Sequence, residues 1–148
     1  MEPVLTPTSE ITCIDCGGRC FLLTHPPEDG IWEPGEHLGF EVVTETNSVC
    51  WHELATRDLD EASEFFEELF GWTTADNPAA PAGYCTIKLG DDEIGGILQM
   101  TDAWGDMPPH WTVYFNVEDA DEMAEQIVEA GGKVHHGPFD TPIGRLAA

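Results

Sequence analysis

The chain has 148 residues, 41% of them hydrophobic, which suffices for one ordinary domain and a small appendage. Lys and Arg total 5 and Asp and Glu total 29, a formal charge of −24 that repels phosphate backbones and argues against nucleic-acid binding. No apolar run reaches the length of a membrane span and no basic region leads into one, so we expect neither a span, nor a membrane partner, nor a signal peptide, and a cytoplasmic protein.

The acid is spread along the chain, in Glu33, Glu36, Glu41, Glu67, Asp91, Glu118 and Glu129, rather than massed in a tail. With so few Lys, that distribution suggests a halophile's cytosol, where salt screens the self-repulsion.

Residues 1–46 read as an N-terminal segment apart from the main domain, which we place at residues 47–148. Met1 to Glu10 carries Pro3 and Pro7 and reads as a loose terminus. Cys13-x-x-Cys16-Gly17-Gly18 follows, a spacing in which a tight turn aims two thiolates at one metal ion. Cys20 and His25 are our choice to complete a zinc site, with His37 and Cys50 as further donors. Five cysteines, an odd number with three of them clustered here, suit metal or free thiols better than a disulfide framework. The alternative is a set of free thiols on a turn. His37 to Thr44 reads as a strand completing a small ribbon.

Val49 to Trp72 reads as strand, Asp-led turn, amphipathic helix and Gly stop. Trp51, Glu53 and Ala55 alternate with His52, Leu54 and Thr56. Asp58 stands at the N-cap, and Leu59, Ala62, Phe65, Phe66, Leu69 and Phe70 share one helical face up to Gly71. Thr73 to Gly83 reads as a loop. Tyr84–Leu89 and Glu93–Met100 form a hairpin about Gly90, and Asp102 to Pro109 is a linker. His110 to Val134 then repeats the unit: a strand, Asp119 at the turn, a helix over residues 119–130 with Ala120, Met123, Ala124, Ile127 and Val128 on its apolar face, and a stop at Gly131 or Gly132. A repeat of this kind predicts two modules packed as a pseudo-symmetric pair. Lys133 to Phe139 reads as a further strand, and Gly144 to Ala148 as the start of one that the chain does not finish.

Alternation also sorts the faces. Trp111, Val113, Phe115 and Val117 are expected under the second helix. His110, Thr112, Tyr114 and Asn116 then face the other way, together with Trp51, Glu53 and Ala55. That face offers a carboxylate, an imidazole, a phenol and an indole, a mixture suited to a cationic or aromatic ligand. Glu53 is a candidate general base if desolvated; the plain alternative is a solvated strand carboxylate. His52 has the parity of the packed face. His135 and His136 point to opposite sides of a strand and make a poor chelate.

The motifs CWHELATRD, FFEELFGW, GGILQM, PPHWTVYFNVED and EAGGKVHHGPFDTPIGR together resemble the vicinal oxygen chelate superfamily, the glyoxalase/bleomycin-resistance/dioxygenase proteins, over about residues 49–148. The resemblance implies an α+β fold of paired βαβββ modules, here with the second module incomplete and a small zinc-ribbon-like appendage in front. The N-terminal stretch resembles zinc-ribbon-like modules whose second Cys pair is missing here. In metal-using relatives the first strand of each module supplies a ligand, and those positions are Trp51 and Thr112 here; a third ligand falls near Gln99. The resemblance therefore implies a small-molecule binder that has lost the usual divalent metal. The alternatives are a metal-dependent lyase, isomerase or dioxygenase with Glu53, Gln99 and His110 as improvised ligands, and a partner-binding module using the N-terminal ribbon. It also implies a longer parent chain, an exposed sheet edge near Gly144–Ala148, and a homodimer that would cover it.

Overall fold

Strand β1 (Val49–Thr56) is the spine of the fold. In this computed structural model, which describes residue 36 and residues 39–148, β1 is followed by α1 (Leu59–Phe70), β2 (Thr73–Asp76), β3 (Tyr84–Leu89) and β4 (Asp92–Gln99). A 3-10 turn at Asp102–Trp104 leads to β5 (His110–Phe115), α2 (Ala120–Glu129), β6 (Phe139–Thr141) and β7 (Gly144–Leu146). Five strands form one mixed sheet in the order β2-β3-β4-β1-β5, and β6 and β7 form a separate hairpin. β1 runs parallel to β4 and antiparallel to β5, so the first strands of the two repeats lie side by side. The fold is α+β, as the sequence predicts.

The helices begin and end where capping chemistry places them. The Asp58 carboxylate accepts from the Glu61 N–H at 2.9 Å, and Gly71 takes the left-handed conformation (φ 69°) that closes α1. Asp119 accepts from the N–H groups of Asp121 and Glu122 at 2.9 and 3.0 Å, and Gly131 (φ 92°) follows the end of α2. The core lies under α1. Leu54, Ala62, Phe66, Ile87 and Ile97 are buried there, with Trp72 stacked on Phe66 at 5.1 Å between ring centres and Trp111 edge-on to it at 5.9 Å.

Four expectations need correction. The stretch Thr73 to Gly83 is not all loop, because β2 pairs with β3 and widens the sheet beyond α1. Residues 39–48 form bends rather than the end of a strand: Thr44 and Asn47 have positive φ (67° and 66°), and Asn116 bonds this turn to the end of β5. Lys133–Pro138 is not a strand. It is irregular, and the backbone of His136 pairs with Ala148, folding the chain end back on itself. Val113 and Phe115 are not packed under α2 but are 50% and 63% exposed, since no strand among the described residues extends the sheet past β5.

The segment between the modules is held from one side. The Arg57 guanidinium donates to the carbonyls of Thr101, Gly105 and Met107 at 2.9, 2.5 and 3.0 Å, fixing the turn that leads into β5. Among the described residues, no helix is long and apolar enough to cross a membrane. Cys13, Cys16, Cys20, His25 and His37 lie outside the described residues.

Candidate functional site

Strand register decides which side chains meet. Trp51 pairs with Tyr114, Glu53 with Thr112 and Ala55 with His110 across β1 and β5, so all six point to the face away from α1. On the other side Glu53 pairs with Gly96 of β4, and Gly96 with Thr86 of β3; Tyr84, two residues from Thr86, shares the face. Two phenols converge on Glu53, and an indole N–H supports one of them. The Tyr114 hydroxyl donates to its Oε1 at 3.4 Å, the Tyr84 hydroxyl lies within bonding reach of the same carboxylate, and Trp51 Nε1 donates to the Tyr84 oxygen at 2.9 Å.

Tyr84 reaches this point because β4 has no side chain in its way. A methyl group at Gly96 would overlap the Tyr84 hydroxyl, and one at Gly95 would lie 2.8 Å from the His52 carbonyl oxygen. The two glycines thus clear opposite faces of β4, one for a phenol and one for the His52 backbone and ring. The glycine pair is legible in the sequence, but that it makes room for Tyr84 depends on the pairing of β3 with β4, and sequence reasoning omitted Tyr84 from the site residues.

Burial dominates the electrostatics. Desolvation pushes the Glu53 carboxyl up, opposed by the bonds from Tyr114 and Tyr84 and by His110. Desolvation, with the Glu53 charge, raises Tyr84 and Tyr114 to about 12, so both phenols keep their protons at neutral pH. His52, on the α1 side against Trp111, is lowered by burial.

A cavity of about 590 Å³ opens beside this cluster and curls around the free edge of β5, so its lining draws on both faces of that strand. Trp51, Glu53, Tyr84 and Tyr114 line it together with Phe115, Met123 and Ile127, and Gly144, Arg145 and Leu146 of the β6–β7 hairpin contribute to the lining. Arg145 of that hairpin is held by Asp121 at 2.5 and 3.0 Å and by Asp140 at 2.9 Å. Hydrogen bonding to Arg145 lowers Asp121.

The other sequence-selected residues lie elsewhere. Gln99 belongs to the α1 face, because parallel pairing sets it beside Thr56. Its amide is committed to backbone, accepting from Leu59 N–H at 2.9 Å and donating to the carbonyls of Arg57 and Met100, so it starts α1 and does not reach the cavity. His110 turns its Nδ1 to the Pro108 carbonyl at 2.9 Å and its ring toward Trp104, outside the cavity lining. Thr112 shares the Glu53 face without lining the cavity. Asn116 lines the cavity, though its amide donates to Thr44 O at 2.8 Å. Cys50 aims its thiol at the Tyr114 carbonyl.

A divalent metal fits these donors poorly. The residues at the family positions are Trp51, Thr112 and the bonded Gln99, and among the described residues no three His, Cys, Asp or Glu side chains come together closely enough to hold a metal ion.

Residues 48–148 match the Glyoxalase/Bleomycin resistance protein/Dioxygenase superfamily. The chain belongs to that family. It is 38% identical over 134 residues to the provisionally named glyoxylase CFP32 of Mycobacterium tuberculosis, covering 88% of this chain and 51% of that protein. It is 34% identical over 117 residues to the anthracycline biosynthesis protein DauV of Streptomyces sp. (strain C5), covering 79% of this chain and 42% of that one. The chain therefore spans about half the length, or less, of these relatives. Among solved structures it is similar to a methylmalonyl-CoA epimerase from Streptomyces coelicolor in complex with 2-nitronate-propionyl-CoA, at 20% identity and a TM-score of 0.44 over 70% of this chain and 84% of that one.

Proposed function

We propose that this chain binds a small organic molecule in the cavity beside Glu53, without the metal site that the family commonly uses. The observation that carries the reading is the Glu53 cluster itself: a half-buried carboxylate held by phenols in the lining of a cavity of about 590 Å³. Ligand sites are of this kind, mostly apolar with a few convergent polar groups and perturbed titration. The acidic surface suits concentrated salt and is read here as a halophile's. Zinc at Cys13, Cys16, Cys20 and His25 and a homodimeric state belong to the same proposal.

A second reading, a lyase or isomerase with Glu53 as general base, draws support from the raised Glu53 carboxyl and from the provisional name of CFP32. Native mass spectrometry and elemental analysis of the purified full chain separate the two. The binding reading expects a co-purifying small molecule, less of it in Glu53→Gln, and no stoichiometric iron, nickel or manganese. Stoichiometric metal in the wild-type protein, removed together with the bound molecule by a chelator, would overturn it.

A further inference from the structure

We infer that the cavity selects ligands carrying a protonated amine or amidinium on an aromatic body, with Glu53 as the counter-charge; this rests on the binding reading above. The inference comes from a census of charge around Glu53. Its neighbours on β1, β3 and β5 are Trp51, Tyr84, Thr112, Tyr114 and His110, none of them a permanent cation. Among the described residues, the other charged groups lining the cavity are Glu118 and Arg145, and the Arg145 guanidinium is occupied by the carboxylates of Asp121 and Asp140. Among the described residues, an anionic ligand would thus meet Glu53 and Glu118 without a free cation to offset them, inside a chain of charge −24.

A cation meets the opposite conditions. Glu53 supplies an acceptor whose bonds to phenols leave lone pairs open, since a carboxylate offers about four acceptor sites. The rings of Trp51, Tyr84 and Tyr114 stand around that acceptor, and aromatic faces attract ammonium groups most strongly where water is excluded. Phe115, Met123 and Ile127, which also line the cavity, give an apolar body a surface to cover. The ligand class is therefore set by two features of one cavity, a charge socket around Glu53 and apolar side chains of β5 and α2.

Both tyrosines of the chain sit in this socket, so tyrosine ring signals report on it alone. Full-length protein labelled at Tyr is titrated with tryptamine, 3-ethylindole and indole-3-propionate, which share a ring system and differ in charge. Tryptamine should bind about tenfold more tightly than 3-ethylindole, a difference of about 1.4 kcal/mol, with indole-3-propionate weakest. Glu53→Gln should remove that advantage and leave 3-ethylindole unchanged. Glu129→Gln, an exposed carboxylate of α2, should keep it, which separates local recognition from general attraction to an acidic protein. If tryptamine and 3-ethylindole shift the tyrosine signals with equal affinity, or Glu129→Gln removes the advantage as Glu53→Gln does, charge selection is wrong and binding stands. If none of the three shifts those signals, the binding reading falls as well.

Discussion

The two repeats share a sequence plan and differ in burial. Asp58 and Asp119 cap their helices in the same way. Counted from those caps, Leu54 corresponds to Phe115 and Phe66 to Ile127. Leu54 is fully buried and Phe115 is 63% exposed; Phe66 is buried and Ile127 is 40% exposed. The difference comes from neighbours. α1 lies over a sheet that β2, β3 and β4 extend, whereas among the described residues β5 ends the sheet and the β6–β7 hairpin is separate from it. Capping and periodicity specify a helix locally, but most of its stability comes from what it packs against.

Matched truncations put that difference at risk. Leu54→Ala should cost about 2–5 kcal/mol in chemical denaturation, the usual range for a fully buried Leu. Phe115→Ala should stay within about 0.5 kcal/mol, as an exposed site does. Equal losses would mean that β5 is covered in solution, for instance by a second chain. Salt offers a test of the charge on both repeats: with a formal charge of −24, the thermal midpoint should climb through a potassium chloride series into the molar range, and a flat or falling midpoint would end the halophile reading.

What the sequence made legible follows the same division. Period-two alternation in Trp51–Thr56 and the Asp58 and Asp119 turns are local signals, and they led correctly to β1, both helices and the shared face of Glu53 and Tyr114. The Gln99 assignment failed because its face depends on a register between strands distant in sequence. Lys133–Pro138 has strand-like composition but no partner strand among the described residues, and propensity alone does not make a ladder. Tyr84 was missed because its role depends on the empty space over Gly96, on another strand.

The Glu53 cluster joins Trp51, Glu53 and Tyr84 of the well-built repeat to Tyr114 of the other, and two changes test it at an intermediate scale. Desolvation raises Glu53, so between its ordinary and raised values the folded chain holds a proton that the unfolded chain has released. Its contribution to stability is therefore greatest at low pH and declines as pH rises through that window. Binding of a cation needs the carboxylate and runs the other way, failing as pH falls through the same window. Melts of wild type and Glu53→Gln from mildly acidic to neutral pH should converge at the acid end and separate toward neutrality, with the variant the more stable there. Gly96→Ala should swing the Tyr84 ring off the strand and break its bond from Trp51, weakening tryptamine binding while costing only about 1–3 kcal/mol of stability. A Tyr84 signal unchanged in Gly96→Ala would refute the clearance argument.

The effect at the caps is small and the most discriminating between repeats. Replacing either N-cap by Ala should cost about 1 kcal/mol locally. Asp58→Ala frees one N–H, that of Glu61, while Gln99 still accepts from Leu59 N–H, so α1 keeps part of its N-terminal bonding. Asp119→Ala frees two, those of Asp121 and Glu122. By bond count alone the second should be worse. Burial predicts the reverse for global stability, because Phe66 ties α1 to the core whereas Ala124 is the buried side chain of α2. We therefore expect Asp58→Ala to lower the denaturation midpoint of the whole domain. Asp119→Ala should instead raise hydrogen exchange across Ala120–Glu129 with little change in that midpoint, the behaviour of a locally opening segment. If Asp119→Ala moves the global midpoint as far as Asp58→Ala, α2 is coupled to the core through a surface that the exposure of Ile127 and Val128 does not reveal, and the two repeats are more alike than their burial implies.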